Sequence, residues 1–343
     1  MDDHVDERML ALLQRAWGLP APARLTPLAH GTNNRMWRVE TAHASFVLRV
    51  YSNHTDEARV RFEHAILVGV AAAGLPFAVP APIATRDGAL YVRVATDGGA
   101  TLAVLTPFLP GAHPRREDLA QAEAAGAALG ALDLALADLP SPDPSLATSW
   151  RSYGDLERCH PLVPDPLAAI RALPLAEEVR ARLIEGYQSL MARVPALYAS
   201  LSMHLCHEDY GPDNMLMEGA RVTGVLDFEF CARDVRVMDL TVALSWWPVA
   251  QLGSGAEWPI IRAFTTGYAR HITLTGAEIA AIPTLYHLRA YTSLIHRLGR
   301  YRQGLSPLEA VTDRAEAAIA REDWLRAYGA RFVETVDGCM SSS

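Results

Sequence analysis

Three polar residues in one short stretch have the types that transfer of a phosphoryl group requires. Asn214 follows Asp209 by five positions, and Asp227 follows it by eighteen. Phosphoryl transfer needs one carboxylate that orients the attacking hydroxyl group and accepts its proton. It also needs oxygen ligands that hold a divalent cation against the nucleotide phosphates. The pattern therefore predicts that Asp209 is the catalytic base and that Asn214 and Asp227 are Mg²⁺ ligands. The residues between them leave room for a tight loop and a hairpin, with strands at 215–217 and 222–226.

These residues resemble the motif of the family that includes aminoglycoside phosphotransferases, homoserine kinases and choline kinases. The pattern H-x-D-x-x-x-x-N starts at His207, and an apolar strand then leads to the sequence Asp-Phe-Glu that begins at Asp227. Asp239 lies twelve residues further on and opens a predicted helix. The run from Asp227 to Asp234 is most similar to the homoserine kinases, whereas Glu229 is also typical of choline kinases. The resemblance implies ATP and Mg²⁺ as cofactors, a small molecule with a hydroxyl group as acceptor, and a structural role for His207 as a brace of the loop.

The resemblance also implies an α+β fold with two lobes, like that of protein kinases. Residues 1–105 would form a small N-lobe, an antiparallel sheet with a helix that covers the nucleotide. Residues 106–343 would form a larger and mostly helical C-lobe. In the N-lobe the patterns predict helices at 5–17 and 56–73, strands at 24–28, 36–40, 45–51 and 103–111, and a hairpin at 83–92. The predicted C-lobe helices are 117–138, 174–196, 239–250, 256–272, 276–303 and 307–328, followed by a tail that frays.

The chain contains no lysine, so all 31 of its Lys+Arg residues are arginines. Kinase folds use a lysine on an early strand to contact the nucleotide phosphates. The resemblance places Arg49 at that position, and a guanidinium group can replace the lysine because it is always charged and binds phosphate bidentately. Glu63, on the following helix, is the candidate for its ion pair. In the alternative interpretation, both residues are ordinary surface charges.

Two further segments are candidates for contacts with the nucleotide. The turn at 30–34 would cover the phosphates, because Gly31 permits a tight turn while Thr32 and Asn33 offer hydrogen-bond donors. An ordinary hairpin turn explains these residues equally well, since they do not form a G-x-G-x-x-G loop. Backbone groups of Val104 and Thr106, near the junction of the lobes, would meet the adenine edge.

The sequence is least informative about the acceptor. Glu208 and Asp213 replace the small residues that the family usually has at these positions, so either carboxylate is a candidate substrate ligand or a solvated side chain. A substrate with a carboxylate would need a cation. The candidate substrate contacts are Glu208, Asp213, Glu229, Trp246 and Trp247, and the unranked candidates for binding a carboxylate are Arg233, Arg236, Arg289 and Arg297.

Composition restricts the possible partners. The net charge of −8 for 343 residues argues against nucleic-acid binding. Residues 1–105 hold 10 arginines and 10 acidic residues, so the acidic excess lies in the C-lobe, where it suits an amino-bearing substrate or simply provides solubility. No apolar run is long enough to span a membrane. The acidic N-terminus and the four cysteines without paired spacing predict a cytoplasmic protein. No pattern indicates an oligomeric state.

Three classes of function remain possible. The favoured one is an ATP-dependent phosphotransferase that acts on a small hydroxylated amine or amino acid, of the homoserine or choline kind. An aminoglycoside phosphotransferase is the alternative within this class. A non-catalytic nucleotide-binding module is the alternative from another class, although such a module would not need Asp209, Asn214 and Asp227 together. A protein kinase is disfavoured, because the span from Asp227 to Asp239 is too short for a peptide-binding segment.

Overall fold

The N-lobe is built on a five-stranded antiparallel sheet. The computed structural model describes residues 3–20, 24–28, 34–51, 56–96, 99–140 and 152–341. The strands lie in the spatial order β1-β2-β3-β5-β4. Their bounds are β1 Arg24–Pro27, β2 Asn34–Glu40, β3 Ser45–Tyr51, β4 Val92–Thr96 and β5 Gly99–Pro107.

Two helices cover opposite faces of this sheet, because successive side chains of a strand point to opposite sides. Helix α1, Asp3–Trp17, packs against the face of β3 that carries Leu48 and Val50. Helix α2, Glu57–Ala72, begins at the N-cap Asp56 and packs against the other face, through Val60 and Tyr51. Arg49 shares the second face with Tyr51, so the alternation of the strand directs it toward α2 and the space between the lobes.

The C-lobe is mostly helical and contains two short β-ladders. Strand β6 pairs with β9, and β7 pairs with β8 to form the predicted hairpin. The described helices are α3 Leu119–Asp138, α4 Pro166–Arg171, α5 Glu177–Ser200, α6 Met238–Trp246, α7 Glu257–Ala269, α8 Gly276–Arg302 and α9 Glu309–Ser341. The strands are β6 Met203–Cys206, β7 Met215–Glu218, β8 Arg221–Val225 and β9 Ala232–Val235.

Helices α3 and α7 approach each other closely because both carry a glycine at the contact. A Cβ atom on Gly126 would lie 1.9 Å from the backbone oxygen of Phe264, and one on Gly267 would lie 1.9 Å from that of Glu123. By length and composition, α3 is the one helix of the described chain that could cross a membrane, and half of its apolar window is buried within the protein. Its packing against α7 accounts for that apolar composition.

The structure corrects three predictions about secondary structure and adds one ladder. Residues 83–91 form a turn at Asp87 and Gly88 without a strand ladder, and the hairpin of this region is β4–β5, which starts at Val92. Strand β5 ends at Pro107 rather than at 111, because residues beyond it leave the sheet. Helix α9 continues to Ser341, so the last described residues are helical instead of frayed. The β6–β9 ladder was not predicted. The boundary between lobes at residue 105 stays a prediction.

Main-chain hydrogen bonds join the segment after α2 to the C-lobe hairpin. The amide of Ala78 donates to the carbonyl oxygen of Thr223 at 3.0 Å, and the amide of Val225 donates to that of Ala78 at 3.0 Å. The residue that follows β8 by two positions, Asp227, is therefore held at a fixed position relative to the N-lobe.

Candidate active site

The loop that carries Asp209 is held by a buried carboxylate behind it. Asp239, at the start of α6, accepts backbone N–H groups from His207 at 2.6 Å and from Glu208 at 2.7 Å. Glu208 has a positive φ of 64°, a conformation that is costly for a residue with a side chain and is common at functional sites. The two hydrogen bonds to Asp239 stabilise this strained turn, which aims Asp209 into the space between the lobes.

The side chain of Asp209 is held by one neighbour on each oxygen. The amide nitrogen of Asn214 donates to Oδ2 at 2.9 Å, and Arg289 from α8 lies 3.4 Å from Oδ1. Burial raises the pKa of Asp209 to about 6, although Arg289 and the Asn214 hydrogen bond act in the opposite direction. The carboxylate is therefore ionised at neutral pH and has a proton affinity higher than that of an ordinary aspartate.

His207 is fully buried beneath this loop. Its Nε2 lies 2.9 Å from the carbonyl oxygen of Leu226, and its Nδ1 accepts the backbone N–H of Asp209 at 3.3 Å. The ring also packs edge-on against Phe228 at 4.7 Å between centroids. Burial lowers the pKa of His207 to about 4, so the imidazole is neutral. These contacts are those of a side chain that links the catalytic loop to β8, which is what a structural brace requires.

Asp227 and Asn214 both line the cavity between the lobes. Asp227 adopts the left-handed conformation with φ of 63° directly after β8. Burial and the negative charge of Glu229 raise the pKa of Asp227 well above its usual range, with Arg49 acting against them. Since the amide nitrogen of Asn214 donates to Asp209, its amide oxygen is the atom that can face a cation. This concentration of buried negative charge is compensated when a cation binds.

The residues present fit a divalent cation that is completed by phosphate oxygens. Within the described ranges, no three His, Cys, Asp or Glu side chains are grouped as a complete metal site. Mg²⁺ is commonly bound through one or two carboxylates together with phosphates rather than by a full protein cage. Asp227 and Asn214 would hold the ion here.

Arg49 lies at the centre of an ion-pair cluster between the lobes. Its Nη1 is 2.7 Å from Oε1 of Glu63, so the predicted contact with the α2 helix is present. Its Nη2 is 2.5 Å from Oε2 of Glu229, which also accepts a hydrogen bond from Asn34 at 3.2 Å. Burial acts to lower the pKa of Arg49, but Glu63 and the other carboxylates raise it well above its ordinary value. Glu229 thus links Arg49 to the Asp227 segment, in addition to facing the cavity.

A cavity of about 740 Å³ lies between the lobes and unites these groups. Val104 and Thr106 line it on the N-lobe side. The backbone carbonyl oxygen of Leu105, which lies between them in the sequence, accepts a hydrogen bond from the Ile83 amide at 2.8 Å. The predicted phosphate-contacting residues Gly31, Thr32 and Asn33 lie outside the described residues. The predicted site residues that line the cavity are Arg49, Glu63, Val104, Thr106, Asp209, Asp213, Asn214, Asp227, Glu229 and Trp246.

Two of the predicted substrate residues do not reach the cavity. Glu208 is fully buried and points into the C-lobe, where it hydrogen bonds with Asp234. Trp247 is also fully buried and packs against Phe264. These predictions are corrected because both side chains point away from the space that the neighbouring Asp209 and Trp246 face. Asp213 does line the cavity, but its side chain is 80% exposed and pairs with Arg116 at its mouth.

The wall opposite Asp227 is rich in arginine. Arg289 and Arg297 line it, whereas Arg233 lies on β9 and Arg236 is paired with Glu278, so the structure ranks the four candidates. Two further arginines line this wall and were not predicted, Arg300 of α8 and Arg314 of α9. Their spacing could have indicated Arg300, because polar side chains follow one face of helix α8 inside a largely apolar segment. These positions are 289, 292, 293, 296, 297 and 300.

Comparison with known proteins agrees with this geometry. Residues 24–271 match the model of the phosphotransferase enzyme family, and the chain belongs to that family. The predicted enzyme class, a small-molecule kinase, is thereby confirmed. The homoserine kinase of Phenylobacterium zucineum is 30% identical over 297 residues that cover 84% of each chain. That of Acidiphilium cryptum is 28% identical over 295 residues, or 86% of each chain.

Solved structures confirm the predicted fold. A microcompartment-associated aminopropanol kinase superposes with a TM-score of 0.74 at 19% identity, covering 96% of this chain and 98% of its own. An amicoumacin kinase, determined with AMP-PNP and Ca²⁺, superposes with a TM-score of 0.71 at 16% identity, covering 94% and 96%. The α+β fold with two kinase-like lobes is therefore common to this chain and to kinases with different acceptors.

Proposed function

We propose that this protein transfers the γ-phosphate of ATP to the hydroxyl group of a small molecule, with homoserine as the first candidate acceptor and Mg²⁺ as the metal. The observation that carries the proposal is the convergence of Asp209, Asn214 and Asp227 on a cavity that Arg49 closes from the N-lobe. The similarity to homoserine kinases over more than four fifths of the chain supports the acceptor. The AMP-PNP and Ca²⁺ in the related amicoumacin kinase support a nucleotide and a divalent cation.

Asp209 is the group that would activate the acceptor. Its Oδ atoms lie at the cavity surface, and the pKa of about 6 matches a base that works near neutral pH. In the reaction, the acceptor oxygen forms a bond to the γ-phosphorus, the bond from that phosphorus to the bridging oxygen of ADP breaks, and Asp209 takes the hydroxyl proton. Asn214 keeps the Asp209 carboxylate in one orientation through the 2.9 Å hydrogen bond.

The donor side of the cavity would be organised by charge. Asp227 and Asn214 would hold Mg²⁺, which neutralises charge on the phosphates as they are transferred. Arg49 would contact the phosphates with N–H groups that its ion pairs leave available, since a guanidinium group has five donors. Glu63 and Glu229 fix the orientation of that guanidinium group. We place the protein in the cytoplasm, which its four free cysteines support.

A screen of ATP consumption tests the proposal. Purified protein with Mg²⁺ would be assayed with homoserine, choline, ethanolamine, sugars and aminoglycosides, with the Asp209→Asn variant as the control for contaminating activity. We expect ADP to form in step with a phosphorylated homoserine-like acceptor, and only in the wild type. Turnover of an aminoglycoside alone would contradict homoserine as the acceptor but would leave the assigned enzyme class unchanged. Nucleotide binding without transfer to any acceptor would instead favour a non-catalytic module.

A further inference from the structure

The acceptor end of the cavity is lined by positive charge from two helices. Arg289, Arg297 and Arg300 lie on one face of α8, and Arg314 of α9 faces the same space. The Arg289 guanidinium carbon lies 5.4 Å from the centroid of the Trp246 ring, and that of Arg314 lies 5.6 Å from it. The two cations therefore lie against the same aromatic side chain, close to Asp209.

At Arg297 and Arg314, this wall carries little compensating negative charge. Arg289 pairs with Asp209 at 3.4 Å, and Arg297 donates to the neutral hydroxyl group of Ser306 at 3.1 Å. Among the described residues, neither Arg297 nor Arg314 has an acidic side chain within ion-pair distance. Burial, followed by the charges of Arg297, Arg321 and Arg289, lowers the pKa of Arg314, with Asp313 acting against them. Burial and Arg297 likewise lower the pKa of Arg300, with Glu229 acting against them.

Holding several partly buried cations together is unfavourable unless an anion joins them. Planar guanidinium groups bind a carboxylate through two parallel hydrogen bonds, so this wall is suited to a carboxylate or a similar anionic group. Asp209 pairs with Arg289, and the proposed chemistry already engages that carboxylate, while the charge of Glu229 acts on Arg300. An acceptor with several ammonium groups would therefore meet like charges at this end of the cavity.

On the basis of the proposed function, we propose that the acceptor is an anionic alcohol whose anionic group is bound by Arg297 and Arg314 while its hydroxyl group lies at Asp209. A carboxylate is the simplest group that fits, and an ammonium group elsewhere on the molecule is not required. Homoserine satisfies these conditions through its carboxylate, but an amino alcohol without one does not.

Three related probes separate the contributions of the charged groups. They are 4-hydroxybutyrate, homoserine and 3-amino-1-propanol, which share a three-carbon chain that starts at a primary hydroxyl group. The first carries an anion, the second both charges and the third a cation. We expect kcat/KM for the two carboxylates to exceed that for 3-amino-1-propanol by about 100-fold or more, since a site that forms hydrogen bonds to a polar group strongly rejects an analogue lacking it. Binding of the three probes would be measured separately by calorimetry in the presence of AMP-PNP and Mg²⁺.

Charge reversal at the two arginines tests the assignment of the residues. Arg297→Glu and Arg314→Glu should each raise KM for the carboxylates at least about tenfold, which corresponds to about 1.4 kcal/mol. They should also shift the preference toward 3-amino-1-propanol, and they should leave KM for ATP unchanged. The matched control is Arg302→Gln, because Arg302 lies exposed at the end of α8 and does not line the cavity. A merely structural loss of stability would not invert the charge preference.

The outcomes distinguish this inference from the proposed function. Transfer to 3-amino-1-propanol at a rate equal to that of the carboxylates would overturn the inference, and so would unchanged selectivity in both Glu variants. Failure of all three probes to bind would also overturn it. Binding of the carboxylates without phosphoryl transfer to any acceptor would support the anion site and contradict the kinase proposal.

Discussion

The two ends of the cavity carry opposite charges. At the donor end, the guanidinium group of Arg49 pairs with the carboxylates of Glu63 and Glu229, and Asp227 adds a third carboxylate that acts on it. At the acceptor end, Arg289 pairs with Asp209, and Arg297, Arg300 and Arg314 line the same cavity. The excess acids are suited to a cation that accompanies the phosphates, and the excess arginines are suited to an anionic acceptor. Asp209 lies at the boundary, where the hydroxyl group and the γ-phosphate would meet.

The difference also shows why net charge is a poor guide to the substrate. The C-lobe carries 21 arginines and 29 acidic residues, which suggested an amino-bearing substrate. Several of those acids are placed away from the cavity, such as Glu278 in its ion pair with Arg236. Arg289 and Arg297, in contrast, face inward from α8. The charge that a ligand meets depends on the face of the helix and not on the composition of the lobe.

The largest effect is expected from removing the carboxylate that we propose as a metal ligand at the donor end. Asp227→Ala should abolish turnover and should also weaken binding of MgATP, because the buried site loses the charge that holds the cation. Steady-state kinetics and calorimetry with MgAMP-PNP would measure the two losses. Glu218→Ala is the control, since Glu218 is an exposed acid on the same hairpin. Normal activity of Asp227→Ala would show that Asp227 is not a ligand of the metal.

At the boundary between the two ends, Asp209→Asn should lower kcat by about 10² to 10⁴ while leaving the affinity for MgATP nearly unchanged. The base is lost, but the side chain retains its size, and the oxygens of Asn214 and Asp227 stay in place. Single-turnover kinetics and nucleotide titration would show this separation. Turnover near that of the wild type would require another base.

Arg49 should show an intermediate effect. Arg49→Ala should raise KM for ATP and lower kcat together, with a loss in kcat/KM of roughly 10- to 100-fold, because a charge-assisted contact to phosphate is removed. Arg49→Lys should recover part of this loss, since the charge returns without the bidentate fork. The exposed Arg93→Ala on β4 is the matched control. Unchanged ATP kinetics in Arg49→Ala would show that a residue other than Arg49 contacts the phosphates.

The smallest effect concerns pH. The pKa of Asp209 is raised by burial to about 6, so its ionised fraction, and with it kcat/KM, should fall below pH 6 and level off above it. Arg289→Gln should move this fall in kcat/KM to higher pH, because the arginine lowers the pKa of Asp209. Profiles of rate against pH for both proteins would show the shift. If the rate fell at the same pH in the variant as in the wild type, Asp209 would not be the group whose ionisation controls the rate.

Much of the donor end could be predicted from the sequence because its residues are close together along the chain. Asp209, Asn214 and Asp227 occupy one loop and one hairpin, so spacing alone indicates that they converge. The contact of Arg49 with Glu63 was also predicted, because the resemblance implies an ion pair between these two positions of the strand and the following helix. Asp239 was recognised only as the start of a helix, although its hydrogen bonds to the loop backbone are what stabilise the turn at Glu208.

The acceptor end was harder to predict because it depends on tertiary contacts between distant segments. Arg314 reaches the cavity only because α9 packs beside α8, and no local pattern specifies that packing. Glu208 and Trp247 were expected in the site because they neighbour Asp209 and Trp246 in sequence. In an extended turn or a helix, adjacent side chains point in different directions, and both residues are buried instead.

The most direct test of the opposed ends is a structure of the protein with AMP-PNP, Mg²⁺ and 4-hydroxybutyrate. We expect Mg²⁺ about 2.0–2.1 Å from oxygens of Asp227 and Asn214. We also expect the carboxylate of the acceptor to lie on Arg297 and Arg314, with its hydroxyl group within hydrogen-bond distance of Asp209. A ligand bound in the reverse orientation, or with its carboxylate away from both arginines, would contradict the proposed division of charge between the two ends.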